Sequence, residues 1–279
     1  MPIHDQGYRR YGGGRAPRGR GWRVIASAGI RARLRQRLFL GLLLVSYVSF
    51  FLRAVQLYAA TNLPQMAFFA PTPQMFRQFL GQQGIFVFFI TVYAGAGLIA
   101  NDRRANALQI YLSKPLTRAE YVFGKLAILT TFLLFVTWVP AVALLVVQIV
   151  FSGNFTFFTN NLYLVPAITI FSLVQVVCVG SAMLALSSLS RSSRYVGILF
   201  AALLFFTEAL SGVLRFATGD THLSWIAVSA DLSQIGDAIF RQPLQYDTPW
   251  PLSLALLVLM VVVSGFVLAR RVRGVEVVA

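Results

Sequence analysis

The chain has 279 residues, of which 57% are hydrophobic and only 12% charged, with a mean hydropathy of +0.71 and a formal net charge of +15. Several apolar runs approach or exceed the roughly 20 residues needed to cross a hydrocarbon core, which excludes a soluble globular domain and predicts an all-α polytopic membrane protein. The single cysteine, Cys178, excludes an intrachain disulfide.

In chain order, residues 1–22 form a Gly- and Arg-rich tail, YRRYGGGRAPRGRGWR at its heart, that cannot bury enough apolar surface to fold alone. Arg interleaved with Tyr and Trp would suit nucleic acid. Beside a membrane span the same composition instead holds the N-terminus against anionic headgroups, so membrane lipid is the expected partner and nucleic acid is not. From residue 23 a transmembrane domain is expected to run to 279. Its first piece, WRVIASAGIRARLRQRLFLG, sets Val24, Ile25, Ile30, Leu34 and Leu38 near helical spacing with Arg31, Arg33, Arg35 and Arg37 toward the polar flank. That pattern predicts an interfacial amphipathic helix, against the simpler reading of a basic juxtamembrane stretch.

Six spans are predicted, at about 38–60, 82–100, 125–150, 162–189, 195–214 and 251–269. Both termini then share one side. Ten Arg precede the first span, five basic residues lie in 101–125, two in 190–194 and three in the C-terminal tail, while the other side keeps only Arg53, Arg77, Arg215 and Arg241. The positive-inside rule places the richer side, and both termini, in the cytosol. The polar tail before the first apolar run argues against a cleavable signal peptide, so the first span is expected to stay as an anchor in the cytoplasmic (inner) membrane.

Between the second and third spans the sequence reads NDRRANALQIYLSKPLTRAEYVFGK over 101–125. Ala105, Leu108, Tyr111 and Leu112 share one helical stripe too short to cross a bilayer. Pro115 ends it, because it lacks an N–H and pushes Lys114 out of helical geometry. Thr117 and Glu120 then have capping-box spacing, predicting a new helix that starts well before the membrane. A helix-break-helix joined to two spans is a lever on which a partner could push.

In the later spans, Gly180, Ser181 and Ala185, with Ala94, Gly97 and Ala100 in the second span and Gly197 and Ala201 in the fifth, read as small residues for close helix packing. Glu208 is the one acid placed inside a predicted span, either as a pathway or gating residue or as an interfacial side chain paired with Arg215 or Arg53. The loop 215–250 contains SADLSQIGDAIF, which aligns Leu232, Ile235 and Ile239 and has Asp231 near its start. It predicts a short helix that either lies in the leaflet opposite the basic side or plugs that end of the bundle. Pro64, Pro71 and Pro73 mark the first loop on that side as irregular.

Asp102, the short helix ending Leu108-x-x-Tyr111-Leu112-Ser113, Pro115, Thr117-Arg118, Tyr121 and Gly124-Lys125 together resemble the segment after the second span of ABC-2-type permeases, the membrane subunits of ABC transporters. Six spans, cytosolic termini, an amphipathic N-terminal helix and a long loop before the last span extend the resemblance over nearly the whole chain. It implies a coupling helix at 101–125 that docks on a separate cytosolic ABC ATPase. Asp102, Arg103, Arg104, Leu108, Tyr111, Leu112, Pro115, Arg118, Glu120 and Lys125 are its candidate contacts, and a second permease copy completes the pathway. The chain departs from the family pattern at Arg103, Arg104 and Asn106, where an acid and a glycine are common.

No Gly-x-x-x-x-Gly-Lys-Ser/Thr occurs: Gly124-Lys125 is followed by Leu126 and has Ala119 at the required glycine position. ATP-Mg is therefore expected in the partner ATPase, with no cofactor or metal on this chain. An intramembrane enzyme is disfavoured because His-Glu-x-x-His is absent and no histidine is placed to activate Ser181. An ABC-coupled anchor that passes work to an envelope partner without moving substrate is the remaining alternative to an exporter.

Overall fold

The computed structural model describes residues 21–63, 71–107 and 116–272. Among these the secondary structure is helical throughout, and six helical rods are long and apolar enough to cross a membrane: Arg37–Asn62, Pro73–Arg104, Arg118–Ser152, Leu164–Leu189, Ser193–Thr218 and Trp250–Arg271. These are spans 1 to 6, and the chain is an all-α polytopic membrane protein. Span 4 is the most enclosed, with 72% of its most apolar window buried, while span 1 reaches only 17%. Spans 2, 3 and 4 therefore supply the core. Spans 1, 5 and 6 leave apolar faces outward, as lipid-facing or subunit-facing helices do.

The rods begin and end where local chemistry requires. Span 2 opens at Pro73, with the Thr72 hydroxyl accepting from Met75 N–H at 3.3 Å, and so starts nine residues earlier than its hydropathy predicts. Span 3 opens with the predicted capping box: Glu120 N–H donates to the Thr117 hydroxyl at 3.2 Å, and Thr117 N–H donates to Glu120 Oε2 at 2.9 Å. Gly153 and Gly219, at φ of 61° and 73°, close spans 3 and 5 in left-handed geometry, where a side chain would be strained.

Two spans are broken for identifiable reasons. In span 3, Pro140 cannot donate to the preceding turn, and the helix kinks at Thr137, whose hydroxyl donates to the Leu133 carbonyl at 2.8 Å. Span 2 has a π-helical turn at Thr91–Gly95, which shifts the backbone ladder and frees polar groups. Ser187 of span 4 takes them up. Its hydroxyl donates to the Ala96 carbonyl at 2.9 Å and accepts from the N–H groups of Ile99 and Ala100 at 3.1 and 3.0 Å. The Ala94 carbonyl accepts from Arg33 Nη2 at 3.2 Å. Close approach is needed here, since a Cβ on Gly95 would sit 2.6 Å from Met183 Cγ.

The N-terminal helix, α1, spans Gly21–Leu34 and packs along the start of span 3. Ile25 and Ile30 of the predicted stripe face the core, but Val24 and Leu34 are exposed and Leu38 lies in the next helix. The contact face is set instead by glycines: Gly124 lies under Ile25 and the Trp22 carbonyl, and Gly29 under Ile128. The predicted short helix in loop 215–250 is present as α2, Val228–Ile239. It plugs the bundle end, Ile235 packing with Cys178 of span 4 and Leu257 of span 6. Asp231 near its start is buried, with no hydrogen-bond partner for Oδ1 among the described residues. Burial pushes its carboxyl up to about 7, opposed by a hydrogen bond from Ser253.

Candidate functional site

The bundle end that carries the basic flanks is built around the two borders of segment 101–125. Span 2 ends at Arg104, and Asn106 follows at φ 51°, a left-handed position that asparagine tolerates. Leu108, Tyr111, Leu112 and Pro115 lie outside the described residues.

On the near border stands Asp102 and on the far border Tyr121 and Lys125. The Asp102 carboxylate receives Lys125 Nζ at 2.7 Å and the Tyr121 hydroxyl, which donates to Oδ2 at 2.7 Å. Tyr121 is fully buried, and Lys125 is only 8% exposed. A carboxylate so enclosed needs both partners, because each charge has lost most of its water. The bridge joins the last turn of span 2 to the second turn of span 3, so the two borders of the segment are fixed to each other.

Neighbouring contacts widen that base. Arg103 donates to the Ser188 carbonyl at the end of span 4. Glu120 Oε1 accepts the Gly21 N–H at 3.3 Å, so the cap of span 3 also holds the first residue of α1. A Cβ on Gly21 would lie 2.3 Å from Leu116 Cδ1, so a larger residue there requires the Leu116 side chain to move. Spans 2, 3 and 4 and α1 thus converge on one knot.

The predicted site residues separate into two groups. Asp102, Arg103, Glu120 and Lys125 tie helices together, Lys125 buried and the other three half-buried, whereas Arg104 and Arg118 are exposed. Asp102 forms its ion pair with Lys125. Sequence reading missed Arg33, Ser187 and Ser188, whose partners are remote in sequence. Arg33 carried a signal in its place on the helix face, yet it reads like any other basic flank residue. Burial lowers the affinity of its guanidinium for the proton, and nearby Tyr93 opposes this.

At the opposite end Glu208 pairs with Arg215 at 3.6 Å and accepts a hydrogen bond from Ser229 of α2. Its side chain is nearly half exposed and lines a cavity of about 530 Å³ with Phe88, Phe205 and Tyr246. The paired and the cavity-lining placements therefore coexist in one residue. In span 4 the Ser181 hydroxyl donates to the Cys178 carbonyl of its own helix at 3.1 Å, and a Cβ on Gly180 would sit 3.2 Å from Leu126. Both serve packing.

Comparison with curated proteins finds no match. A family profile described as ABC-2 family transporter protein matches residues 23–270, from α1 to the last turn of span 6. With that match covering all six spans and the knot between them, the chain belongs to the ABC-2 family of transporter proteins.

Proposed function

We propose that this ABC transporter permease is half of a homodimeric exporter in the cytoplasmic membrane, with both termini and the knot in the cytosol. A separate ABC ATPase binds ATP-Mg and docks on residues 101–125, and this chain itself holds no cofactor. Family membership makes the chain a membrane transport component rather than a catalyst and pairs it with a cytosolic ATPase. The observation that supports coupling at this segment is the buried bridge from Asp102 to Tyr121 and Lys125. A load applied between residues 104 and 117 reaches spans 2 and 3 together, and through Arg103 it reaches span 4. When two ATPases close, the spans tilt as a unit and alternate access at the interface of the two permeases. The place of Glu208 on a cavity wall at the end opposite the knot supports a gating role for it on that path.

Two experiments test this reading. In a Cys178→Ser background, cysteines at Asn106 and Ser192 resist an impermeant thiol reagent in intact cells, whereas cysteines at Gln74 and Asp220, exposed at the opposite end, react. Labelling of the Asn106 variant from outside reverses the orientation and removes the coupling role. In reconstituted vesicles the purified chain alone hydrolyses no ATP, and turnover and substrate movement appear together once the ATPase is added. Turnover with nothing moved identifies an anchor that transmits work instead.

A further inference from the structure

At the end of the bundle opposite the knot, the first turns of span 2 and the helix α2 enclose a cleft whose two halves differ in chemistry. The polar half has a volume of about 770 Å³. Gln74, Gln78 and Gln82 line it from successive turns of span 2, and Gln242 and Gln245 face them from the loop after α2. Glutamines four apart lie on one helical face, so three amides form a row. The side chains of Gln74, Gln78, Gln82 and Gln245 have no hydrogen-bond partner among the described residues, and each offers both donors and an acceptor.

Between the halves sits Arg77. Its Nε lies 2.9 Å from Asp237 Oδ1, its Nη2 donates to the Ser233 carbonyl at 2.9 Å, and its plane lies over the Phe171 ring. A Cβ on Gly81 would lie 3.2 Å from Nη1, so the glycine leaves room beside the guanidinium. Beside the cleft lies a cavity of about 210 Å³ that shares Arg77, Gly81 and Ser233 with it, and next to that is the 530 Å³ cavity by Glu208, which shares Phe88, Ser229 and Ser233 with its neighbour. There the walls are Ile85, Phe88, Phe89, Leu204 and Phe205. These volumes are those of small-molecule sites, apolar at one end with convergent polar groups at the other.

Charge narrows the occupant. The guanidinium of Arg77 is matched by Asp237, and the carboxylate of Glu208 by Arg215. An anionic head would find both nearby guanidiniums, those of Arg77 and Arg215, already paired with carboxylates, which selects against it. Amides in a row suit vicinal hydroxyls, which need donors and acceptors in alternation. We infer that this cleft binds an amphiphile with a neutral, hydroxyl-rich head, such as a glycosyl group on an apolar tail, with the head on the glutamine row and the tail along the phenylalanines. The inference rests on the cleft and not on coupling to an ATPase, so the two stand or fall separately.

The test is native mass spectrometry of the full chain in a polyoxyethylene detergent, which carries no sugar head. Three probes share the same acyl chains: monoglucosyl-dioleoylglycerol, dioleoylglycerol and dioleoylphosphatidylglycerol. The glucosyl lipid is expected to be retained about tenfold better than the other two, the scale of one or two net hydrogen bonds. In Gln78→Leu/Gln82→Leu, both exposed positions, its retention falls to that of dioleoylglycerol, which itself is unchanged. Gln245→Leu gives a partial loss from the opposite wall. Equal or better retention of the phosphatidylglycerol, or glucosyl retention untouched by the glutamine changes, overturns the proposal. Displacement of the glucosyl lipid by excess methyl glucoside assigns the amide row to a soluble sugar and overturns the amphiphile. Resistance to that displacement supports a ligand drawn from the membrane.

Discussion

Arg77→Leu is expected to destabilise the bundle by about 3 to 5 kcal/mol, the usual cost of removing one partner from a buried ion pair. Arg77 and Asp237 are each 8% exposed, and their contact joins the start of span 2 to α2. Without the guanidinium, Asp237 must remain charged and unpaired, take up a proton, or pull α2 out toward water. The double variant Arg77→Leu/Asp237→Leu removes both charges and recovers most of the loss, because similar apolar volume fills the site without a desolvated charge. Burial already raises the Asp237 carboxyl, and Arg77 opposes that shift. Loss of Arg77 therefore raises it further. A carboxyl whose folded affinity for protons exceeds its unfolded one stabilises the fold at low pH and loses that contribution as pH rises. Arg77→Leu should accordingly be less damaging at pH 5 than at pH 8. Denaturant unfolding in mild detergent at both pH values checks this, and equal stability of Arg77→Leu and the double variant contradicts it.

Tyr111→Asp is expected to release the ATPase. In the predicted coupling helix Leu108, Tyr111 and Leu112 share one face, the pattern of an apolar anchor at the centre of an interface. A charge desolvated there costs about 2 to 4 kcal/mol, and each ~1.4 kcal/mol is tenfold in affinity, so the complex should come apart on purification. The spans should insert as before, since the six apolar rods lie outside that segment. Arg118→Glu should weaken coupling less, by reversing one exposed charge. If the segment only enforces topology, Tyr111→Asp is tolerated and removal of its positive charges does the damage.

What the sequence made legible was whatever is local. The six spans follow from continuous apolar runs, which in lipid must be helical because no water satisfies the backbone. The capping box of Thr117 and Glu120 and the plug helix at 228–239 follow from spacing within a turn or two. The early start of span 2 was hidden because Arg77 and the glutamines around it look like a polar loop. Arg77 is buried within the rod where Asp237, far along the chain, neutralises it. The same holds at the knot. Asp102 and Lys125 stood out as candidate contacts, but their mutual pairing depends on how spans 2 and 3 cross. The π turn at Thr91–Gly95 leaves no periodic signature, and the Ser187 hydroxyl that compensates it belongs to another span.

The account depends most on residues 101–125 carrying the work of an ATPase into the spans. A photo-reactive phenylalanine analogue at position 111, irradiated in intact cells, tests that contact directly. The expected adduct joins this chain to a protein whose peptides include Gly-x-x-x-x-Gly-Lys-Ser/Thr, and an analogue placed at Gln74, at the opposite end, gives none. Adducts at position 111 only to lipid, or only to proteins without that motif, contradict the coupling role.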